Sequence, residues 1–485
     1  MNWQLIIIVL YFALTVIVGL RSAKKTKSAA AFTGTALSVF AIVCASTGEW
    51  LGGTATTGVS EFGFLYGLSG AWYTIANGIG VMFLGLLFAK LFRSLETGTV
   101  PGIIEKFFGV NARTVSSIVL TIVMLAVGLS QMIAAGKLGQ SLMGIPFVWS
   151  CIGFAVIFIV YTLAGGMNAV ASTNVIHLFV MYFGVILAVI LAVAKVGGLA
   201  EVKAGLDGLQ SAAGEPVNFW NMFTIGGSKV SSWIIASLLG ACTAQAGLQP
   251  VLAAHDEKQA KKSCIITAFV AAPFGFFTAF IGMCSRVLYE RGELLPGEAL
   301  GAAGKSALPE LMMNMNPIAG GIVLAAILAA VLSTVSPIIL SAGTMVTRDL
   351  YQRVLKPEAS DAEVLKMSRI TTAIAGVICC AGAIFLWKMS TVLELVYAAY
   401  SLRGALFVVV LLGIYWKRAS EKGACWSMIL TAVAAVSWVA IKLVTGAYPI
   451  VIGNFAITET YMAVVVAFVC TIVFSFVFPK KELGK

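Results

Sequence analysis

Long apolar runs recur from one end of the chain to the other, and they constrain its fold more than any other feature. Each run approaches the roughly 20 residues that an α-helix needs to cross a bilayer. Of the 485 residues, 60% are hydrophobic and only 11% are charged, whereas soluble domains carry roughly 25% charged residues. The sequence therefore predicts an all-α polytopic membrane protein without a separate soluble domain. The thirteen predicted spans are residues 3–20, 37–60, 67–92, 115–139, 146–165, 167–194, 229–248, 263–288, 315–345, 369–387, 391–415, 424–443 and 457–478.

The basic residues favour one orientation of these spans. The first span is followed, not preceded, by its basic cluster, so we interpret it as a retained helix and not as a cleaved signal. With the N-terminus outside and the C-terminus cytoplasmic, 22 Lys and Arg fall on the cytoplasmic side of the cell membrane and eight on the outer side, as the positive-inside rule requires. The net charge of +11 then reflects topology and anionic membrane lipid, and it implies no nucleic-acid partner. The basic cluster comprises Arg21, Lys24, Lys25 and Lys27.

The residues that usually carry enzyme chemistry form no pattern in this chain. The nine cysteines are scattered through apolar spans without a Cys-x-x-Cys spacing, and two histidines cannot supply a metal cluster. These cysteines are interpreted as small core residues. Because nucleophile-elbow, phosphate-loop and zinc signatures are also missing from the sequence, we expect neither an enzyme nor an organic cofactor.

The ninth span contains two adjacent hydroxyls, Ser333 and Thr334, close to Pro337. Hydroxyl oxygens and freed backbone carbonyls suit a small cation, and transporters place such groups where helices are interrupted near the membrane midplane. In the alternative interpretation, both hydroxyls bond back to carbonyls one turn earlier, as such residues do in buried helices. The residues themselves leave both interpretations open.

Two spans are poor helix formers, and their positions are informative. The second span carries four glycines, many hydroxyls and a carboxylate between residues 42 and 58, and the seventh has a similar composition between residues 240 and 250. Broken helices at corresponding places of two halves indicate a transporter site. Counted from these breaks, spans 2–6 and 7–11 form two five-helix units of opposite orientation, because five is odd.

Four motifs in order resemble the sodium:solute symporter family. Residues 165–177, GGMNAVASTNVIH, are similar to its Gly-Gly-x-x-Ala-Val-x-x-Thr-Asp-x-x-Gln signature, and Ser333-Thr334 with Asp349-Leu-Tyr351 is similar to its Ser-Ser…Asp-x-Tyr ending. Residues 416–424, WKRASEKGA, and Gln249-Pro250 before a Lys-rich loop also fit. The resemblance implies a five-plus-five inverted-repeat fold of the APC/LeuT type, which couples Na⁺ entry to solute uptake by alternating access.

The resemblance also implies a division of the chain. An extra N-terminal helix and a basic cytoplasmic loop come first, followed by the first repeat, an outer loop, the second repeat, and two C-terminal helices with a short basic tail. The corresponding ranges are residues 1–36, 37–195, 196–228, 229–415 and 416–485.

The family's conserved sodium site, often called Na2, is carried over onto residues of spans 2 and 9. The resemblance implies five neutral oxygens: three carbonyls and two hydroxyls. Such a set replaces lost water without a fixed anion that would trap the ion. The carbonyls belong to Ile42, Ala45 and Ala330, and the hydroxyls to Ser333 and Thr334.

Some family members have a second sodium site, from which this chain departs. The position of the family's aspartate is Asn174, and a hydroxyl position is Pro337. Without a carboxylate we expect the second site to be weak or absent, and therefore one Na⁺ per solute.

Five residues at membrane depth are candidates for binding the solute, because charged and polar groups there are functional candidates by default. An alternative is that Glu49 pairs with Lys137 or Arg403 only to hold helices together. In either case Glu49 can neutralise only one of the two cations, Lys137 and Arg403. A solute that carries a carboxylate, such as a zwitterionic amino acid or an organic acid, would supply the partner of the other cation. The candidates are Glu49, Trp50, Gln131, Lys137 and Arg403.

The sequence thus predicts a Na⁺-coupled symporter that imports a small organic solute, with Na⁺, the solute and membrane lipid as its partners. The oligomeric state is open, and a monomer would suffice. One alternative is H⁺ coupling in the same fold, with Glu49 as the proton carrier. A neutral sugar-like or urea-like solute is another, and a channel or solute sensor is less favoured because no further domain follows Lys480.

Overall fold

The computed structural model describes residues 3–23, 37–210, 214–294, 300–388, 392–453 and 455–480. The predicted basic cluster at Lys24, Lys25 and Lys27 and the last five residues of the basic tail lie outside this range.

The described chain is almost entirely helical, with one short hairpin. The first half contains helices α1 Trp3–Ala23, α2 Val39–Trp50, α3 Val59–Tyr66, α4 Trp72–Phe83, α5 Ala89–Ser94, α6 Val100–Phe108, α7 Val110–Met143, α8 Phe147–Val196 and α9 Leu199–Leu206. The second half contains α10 Gly227–Gly240, α11 Gln245–Leu252, α12 Glu257–Ala271, α13 Phe274–Glu290, α14 Leu300–Gly304, α15 Ala307–Met313, α16 Pro317–Met345, α17 Asp361–Leu386, α18 Val392–Tyr415, α19 Glu421–Thr445 and α20 Glu459–Val477. Strands β1 Val451–Ile452 and β2 Phe455–Ala456 pair antiparallel between α19 and α20. Short π or 3-10 turns at Thr54–Gly58, Gly67–Ala71, Leu84–Phe88, Ala241–Thr243 and Val346–Leu355 connect several helices.

The helices agree with the predicted spans. Within the described residues, nine helices are long and apolar enough to cross a membrane, and the bent pair formed by Gly227–Thr243 and Gln245–Leu252 would be a tenth. Three shorter apolar helices, Trp3–Gly19, Val39–Trp50 and Phe147–Leu163, overlap the remaining predicted spans. The prediction of an all-α polytopic fold is confirmed.

Glycines with a positive φ lie at two of the predicted span boundaries. Gly166 has φ +56° and interrupts α8, which separates the predicted fifth and sixth spans. Gly67 has φ +68° and ends α3. Residues other than glycine rarely adopt a positive φ. Each of these glycines therefore marks a helix boundary that the local sequence imposes.

Both predicted broken helices are present. The chain leaves the helix between α2 and the turn at Thr54–Gly58, where a Cβ atom on Gly52 would lie 2.3 Å from Thr334 Oγ1. The second break follows α10, where Ala244 has φ −72° and ψ 87° and the axis bends by 44°. The close approach at Gly52 explains why the first break requires glycine: a larger residue would collide with α16.

Helix α16 forms the centre of the fold. In its most apolar window 94% of the residues are buried, compared with 17% for α19 and 28% for α20. It packs against α8, α7, α1 and α17. The exposed side chains of the peripheral helices are large and apolar, as in Val444 and Phe385, which suits a surface in contact with lipid. Residues near the middle of α16 are therefore shielded from both lipid and water.

Candidate ion and solute sites

The two helix breaks meet in the interior of the protein. The hydroxyl of Ser46 on α2 donates a hydrogen bond of 3.0 Å to the carbonyl of Gly247 on α11. A Cβ atom on Gly247 would lie 3.0 Å from the Trp50 ring and 3.3 Å from Glu49 Cγ. The end of α2 and the start of α11 therefore form one compact site, where backbone groups freed by both breaks are close to a carboxylate.

A buried ion pair lies beside these breaks. Arg403 on α18 donates from Nη1 to Glu49 Oε1 at 3.3 Å, and neither side chain is exposed. The guanidinium also stacks on Tyr400, 3.8 Å from its ring centroid, and lies 5.4 Å from that of Trp50. The hydroxyl of Thr243, in the second break, donates to the Arg403 carbonyl at 2.6 Å. Cation–π contacts of this kind hold a guanidinium in place without consuming its hydrogen-bond donors.

Several polar atoms around this pair have no hydrogen-bond partner, although they are buried. Glu49 Oε2, Arg403 Nε and Nη2, and Trp50 Nε1 are all without a partner in the described structure. Leaving a buried polar group unpaired costs about 1–3 kcal/mol, and more for a charged group. The arrangement therefore offers one acceptor and several donors to a ligand that carries groups of both signs.

Tyr73 extends the site in a way that the sequence analysis did not predict, and buried Asn77 lies one turn further along the same helix. The hydroxyls of Tyr73 and Tyr400 are 3.2 Å apart, and Tyr397 stacks on Trp233 at a centroid distance of 4.3 Å. One turn after Tyr73, both amide atoms of buried Asn77 are unpaired. The available signal was a tyrosine and an asparagine four residues apart in an otherwise apolar span.

The predicted ion-binding hydroxyls lie on α16, opposite the broken α2. Ser333 and Thr334 are fully buried, and both donate to the Ala330 carbonyl, at 2.8 Å and 3.1 Å. This agrees with the alternative that they bond back along their own helix. Thr334 also donates to the Gly48 carbonyl on α2, so that this hydroxyl joins the two elements from which the predicted site is built.

Asn174 links a third element to the same place. Its Nδ2 donates to the carbonyls of Ala45 at 3.5 Å and Ser333 at 3.3 Å. Ile42, the remaining predicted ligand, is buried one turn before Ala45. Neutral carbonyls and hydroxyls are the only oxygens in this set, and no cluster of His, Cys, Asp or Glu that could hold a metal ion occurs among the described residues. Such a donor set fits a weakly held monovalent cation better than a transition metal.

The other two solute candidates are not members of the ion pair, although Gln131 lies at one of the breaks beside it. Gln131 donates from Nε2 to Thr54 Oγ1 at 2.6 Å, so it lies at the first helix break. The ammonium of Lys137 lies 4.4 Å from the centroid of the Trp387 ring, which is stacked on Phe147. Lys137 therefore belongs to a second cluster, and the charge pair at the breaks consists of Glu49 and Arg403.

Comparisons with known proteins agree with this architecture. A family model described as the sodium:solute symporter family matches residues 32–431. The osmoregulated proline transporter OpuE of Bacillus subtilis is 27% identical over 472 residues, covering 92% of this chain and 90% of its own. The sodium/glucose cotransporter of Vibrio parahaemolyticus is 26% identical over 389 residues, covering 76% and 71%. The solved structure of a Na⁺-coupled sialic acid symporter, in a substrate-bound outward-open state, superposes with a TM-score of 0.78 at 21% identity and covers 99% of both chains.

Proposed function

The chain belongs to the sodium:solute symporter family and is a Na⁺-coupled solute symporter, and on that premise we propose that its solute is a small zwitterion bound between Glu49 and Arg403. The unpaired atoms of this buried pair carry the proposal: Glu49 Oε2 can accept from an ammonium group, and Arg403 Nε and Nη2 can donate to a carboxylate. Because the two charges of the pair cancel, a solute without net charge is favoured over an anion.

We propose that the coupling ion binds where α2 faces α16, at the carbonyls of Ile42, Ala45 and Ala330 and the hydroxyls of Ser333 and Thr334. The contacts of Thr334 with Gly48 and of Asn174 with Ala45 and Ser333 support this placement, since they bring the donor elements together. Binding of Na⁺ would require the two hydroxyls to turn their protons away and present lone pairs to the ion. One such set of oxygens implies one Na⁺ per solute.

The same proposal includes the organisation of the chain in the membrane. Residues 37–195 and 229–415 act as two inverted repeats, each of which begins with a broken helix. The N-terminus lies outside and the C-terminus in the cytoplasm of the cell membrane, which the distribution of 22 against eight basic residues supports. Alternating access would then move the repeats around the fixed ion and solute sites.

The proposal is tested by ligand binding to the purified protein. Thermal unfolding is recorded with amino acids, short carboxylates, sugars and ureides, in Na⁺ and in choline, because a ligand that binds the folded state raises its apparent stability. We expect a zwitterionic amino acid to stabilise the protein in Na⁺ only, and its amide or methyl ester to have a much weaker effect. If neutral sugars or ureides stabilise the protein equally well, the proposal that the solute is a zwitterion is wrong.

Two substitutions locate the site. Arg403→Gln should weaken solute binding more than Na⁺ binding, and Glu49→Gln should weaken binding of the amine-bearing solute most. Lys137→Gln is the matched control, since its cation belongs to the Trp387 cluster. Retention of full solute affinity in both site variants would show the pair to be structural. A pH-dependent uptake that persists without Na⁺ would instead indicate H⁺ coupling.

A further inference from the structure

Two cysteines from different helices face each other in the interior. Cys151 on α8 and Cys380 on α17 have their Sγ atoms 3.8 Å apart, and both residues are buried. They are separated by 229 positions in the chain, so their approach depends on the tertiary fold. A disulfide needs an S–S distance of about 2.05 Å, which the two side chains reach by a shift of roughly 2 Å.

The helices that carry them are held in register on both sides of the pair. Toward one end, Phe147 stacks on Trp387 with a centroid distance of 4.5 Å and an interplanar angle of 18°. Toward the other, a Cβ atom on Gly376 would lie 2.4 Å from Ile159 Cγ1, so that the backbone of α17 approaches α8 closely. From one contact to the next, the residue numbers rise along α8 and fall along α17, so the two helices are antiparallel. Packing therefore keeps the two thiols opposed.

The neighbouring cysteine is directed elsewhere. The thiol of Cys379 donates to the Leu125 carbonyl on α7 at 3.4 Å, and a Cβ atom on Gly128 would lie 2.6 Å from its Sγ. Cys379 thus packs against α7 and Cys380 against α8, which makes the adjacent residue an internal control.

We propose that Cys151 and Cys380 form a redox modification site, at which a two-electron thiol oxidant closes a disulfide that ties α8 to α17. With an azodicarboxamide such as diamide, both S–H bonds break and one S–S bond forms. Two electrons and two protons pass to the N=N bond, which becomes a hydrazine. In the proposed orientation the pair lies toward the outer face, which is the more oxidising side of a cell membrane. Since the helices are already in register, the crosslink requires only the shift of roughly 2 Å between the two sulfurs and then stabilises the antiparallel packing of α8 and α17.

The test counts thiols in the intact membrane protein. The nine cysteines are all free in the structure, and purified protein treated with diamide is denatured and labelled with a maleimide mass tag. We expect the wild type to lose two labelled thiols, reversibly on reduction, and to yield a linked peptide that contains Cys151 and Cys380. Cys379→Ala should lose the same two thiols, whereas Cys151→Ala and Cys380→Ala should not form the link.

A second readout keeps the test decisive if a variant folds poorly. Oxidation should raise the apparent unfolding temperature of the wild type and of Cys379→Ala, because the crosslink restricts the unfolded chain. Unchanged thiol counts in the wild type, or a linked peptide that joins Cys379 to Cys380, would overturn the proposal.

Discussion

Arg403 and Glu49, 354 positions apart, form a hydrogen-bonded ion pair of 3.3 Å from which solvent is excluded. Removing one member of a buried pair leaves an uncompensated charge, which costs about 3–5 kcal/mol, whereas replacing both is often tolerated. We expect Glu49→Gln and Arg403→Gln each to lower the unfolding temperature markedly, and the double variant to be more stable than additivity predicts. A double-mutant cycle of thermal unfolding without solute measures this coupling. If the losses of unfolding temperature in the two single variants simply add up in the double variant, the two side chains are not energetically coupled.

The hydroxyls of α16 are the second point at which function can be probed. Ser333→Ala and Thr334→Ala each remove a proposed Na⁺ ligand, so the Na⁺ concentration required for half-maximal uptake should rise at least several-fold. Thr344→Ala is the matched control, because its hydroxyl donates to the Leu340 carbonyl of its own helix. Wild-type Na⁺ dependence in both site variants would show that the ion binds elsewhere.

Asn174 allows the number of ions to be tested. Asn174→Ala removes the two hydrogen bonds that hold Ala45 and Ser333 together, so the Na⁺ requirement should rise while the Hill coefficient stays near one. Asn174→Asp should add at most weak Na⁺ binding, because Pro337 offers no hydroxyl. Uptake measured against Na⁺ concentration checks both. A wild-type coefficient close to two that falls to one in Asn174→Ala would reveal a second site.

A charge cluster just beyond the C-terminal end of α16 should contribute to the stability of the folded protein. Asp349 is fully buried and accepts hydrogen bonds from Arg113 Nε at 2.8 Å and Thr99 at 2.9 Å. Asp349→Asn should destabilise the protein by about 1–3 kcal/mol, because the partly buried guanidinium of Arg113 loses one of its two carboxylate partners and keeps only Glu105. Glu363→Gln, which breaks an exposed pair with Lys356, is the control and should have little effect. Comparable losses of unfolding temperature in both variants would contradict this ranking.

The same cluster predicts a dependence of stability on pH through Glu105. Partial burial acts to raise the pKa of Glu105, but hydrogen bonds from Arg113 and Arg353 outweigh it and hold that pKa below its usual value. Such a carboxylate stabilises the folded state above its unfolded pKa of about 4.3, and this contribution is lost as the pH falls through the lower folded pKa. Thermal unfolding between neutral and acid pH should therefore show a smaller acid-induced decline in Glu105→Gln than in the wild type. If the unfolding temperatures of the variant and the wild type decline equally with falling pH, groups other than Glu105 cause the acid sensitivity.

Part of the proposed ion site rests on signals that are local in the sequence. Glycine-rich and hydroxyl-rich stretches mark where α2 and α10 end, and the family resemblance assigns Ser333 and Thr334, on the continuous helix α16, to the same proposed site. The sequence signals for the proposed solute site are weaker. Asn77 and Tyr73 gave little signal, since a single polar residue in an apolar span is equally consistent with packing, and the sequence offered no means of choosing between Lys137 and Arg403 as the partner of Glu49.

The sequence by itself determined the fold class, the helix breaks and the boundary at Gly166, because hydrophobic run length and the backbone freedom of glycine act over neighbouring residues. Only the tertiary structure decided which charges meet. Glu49 pairs with Arg403 and Lys137 lies over Trp387 because the packing of helices far apart in the chain sets those distances. The sequence lists the same charged residues whichever way the helices pack. The energy of a buried charge, however, depends on which partner lies nearest to it, and only the packing decides that.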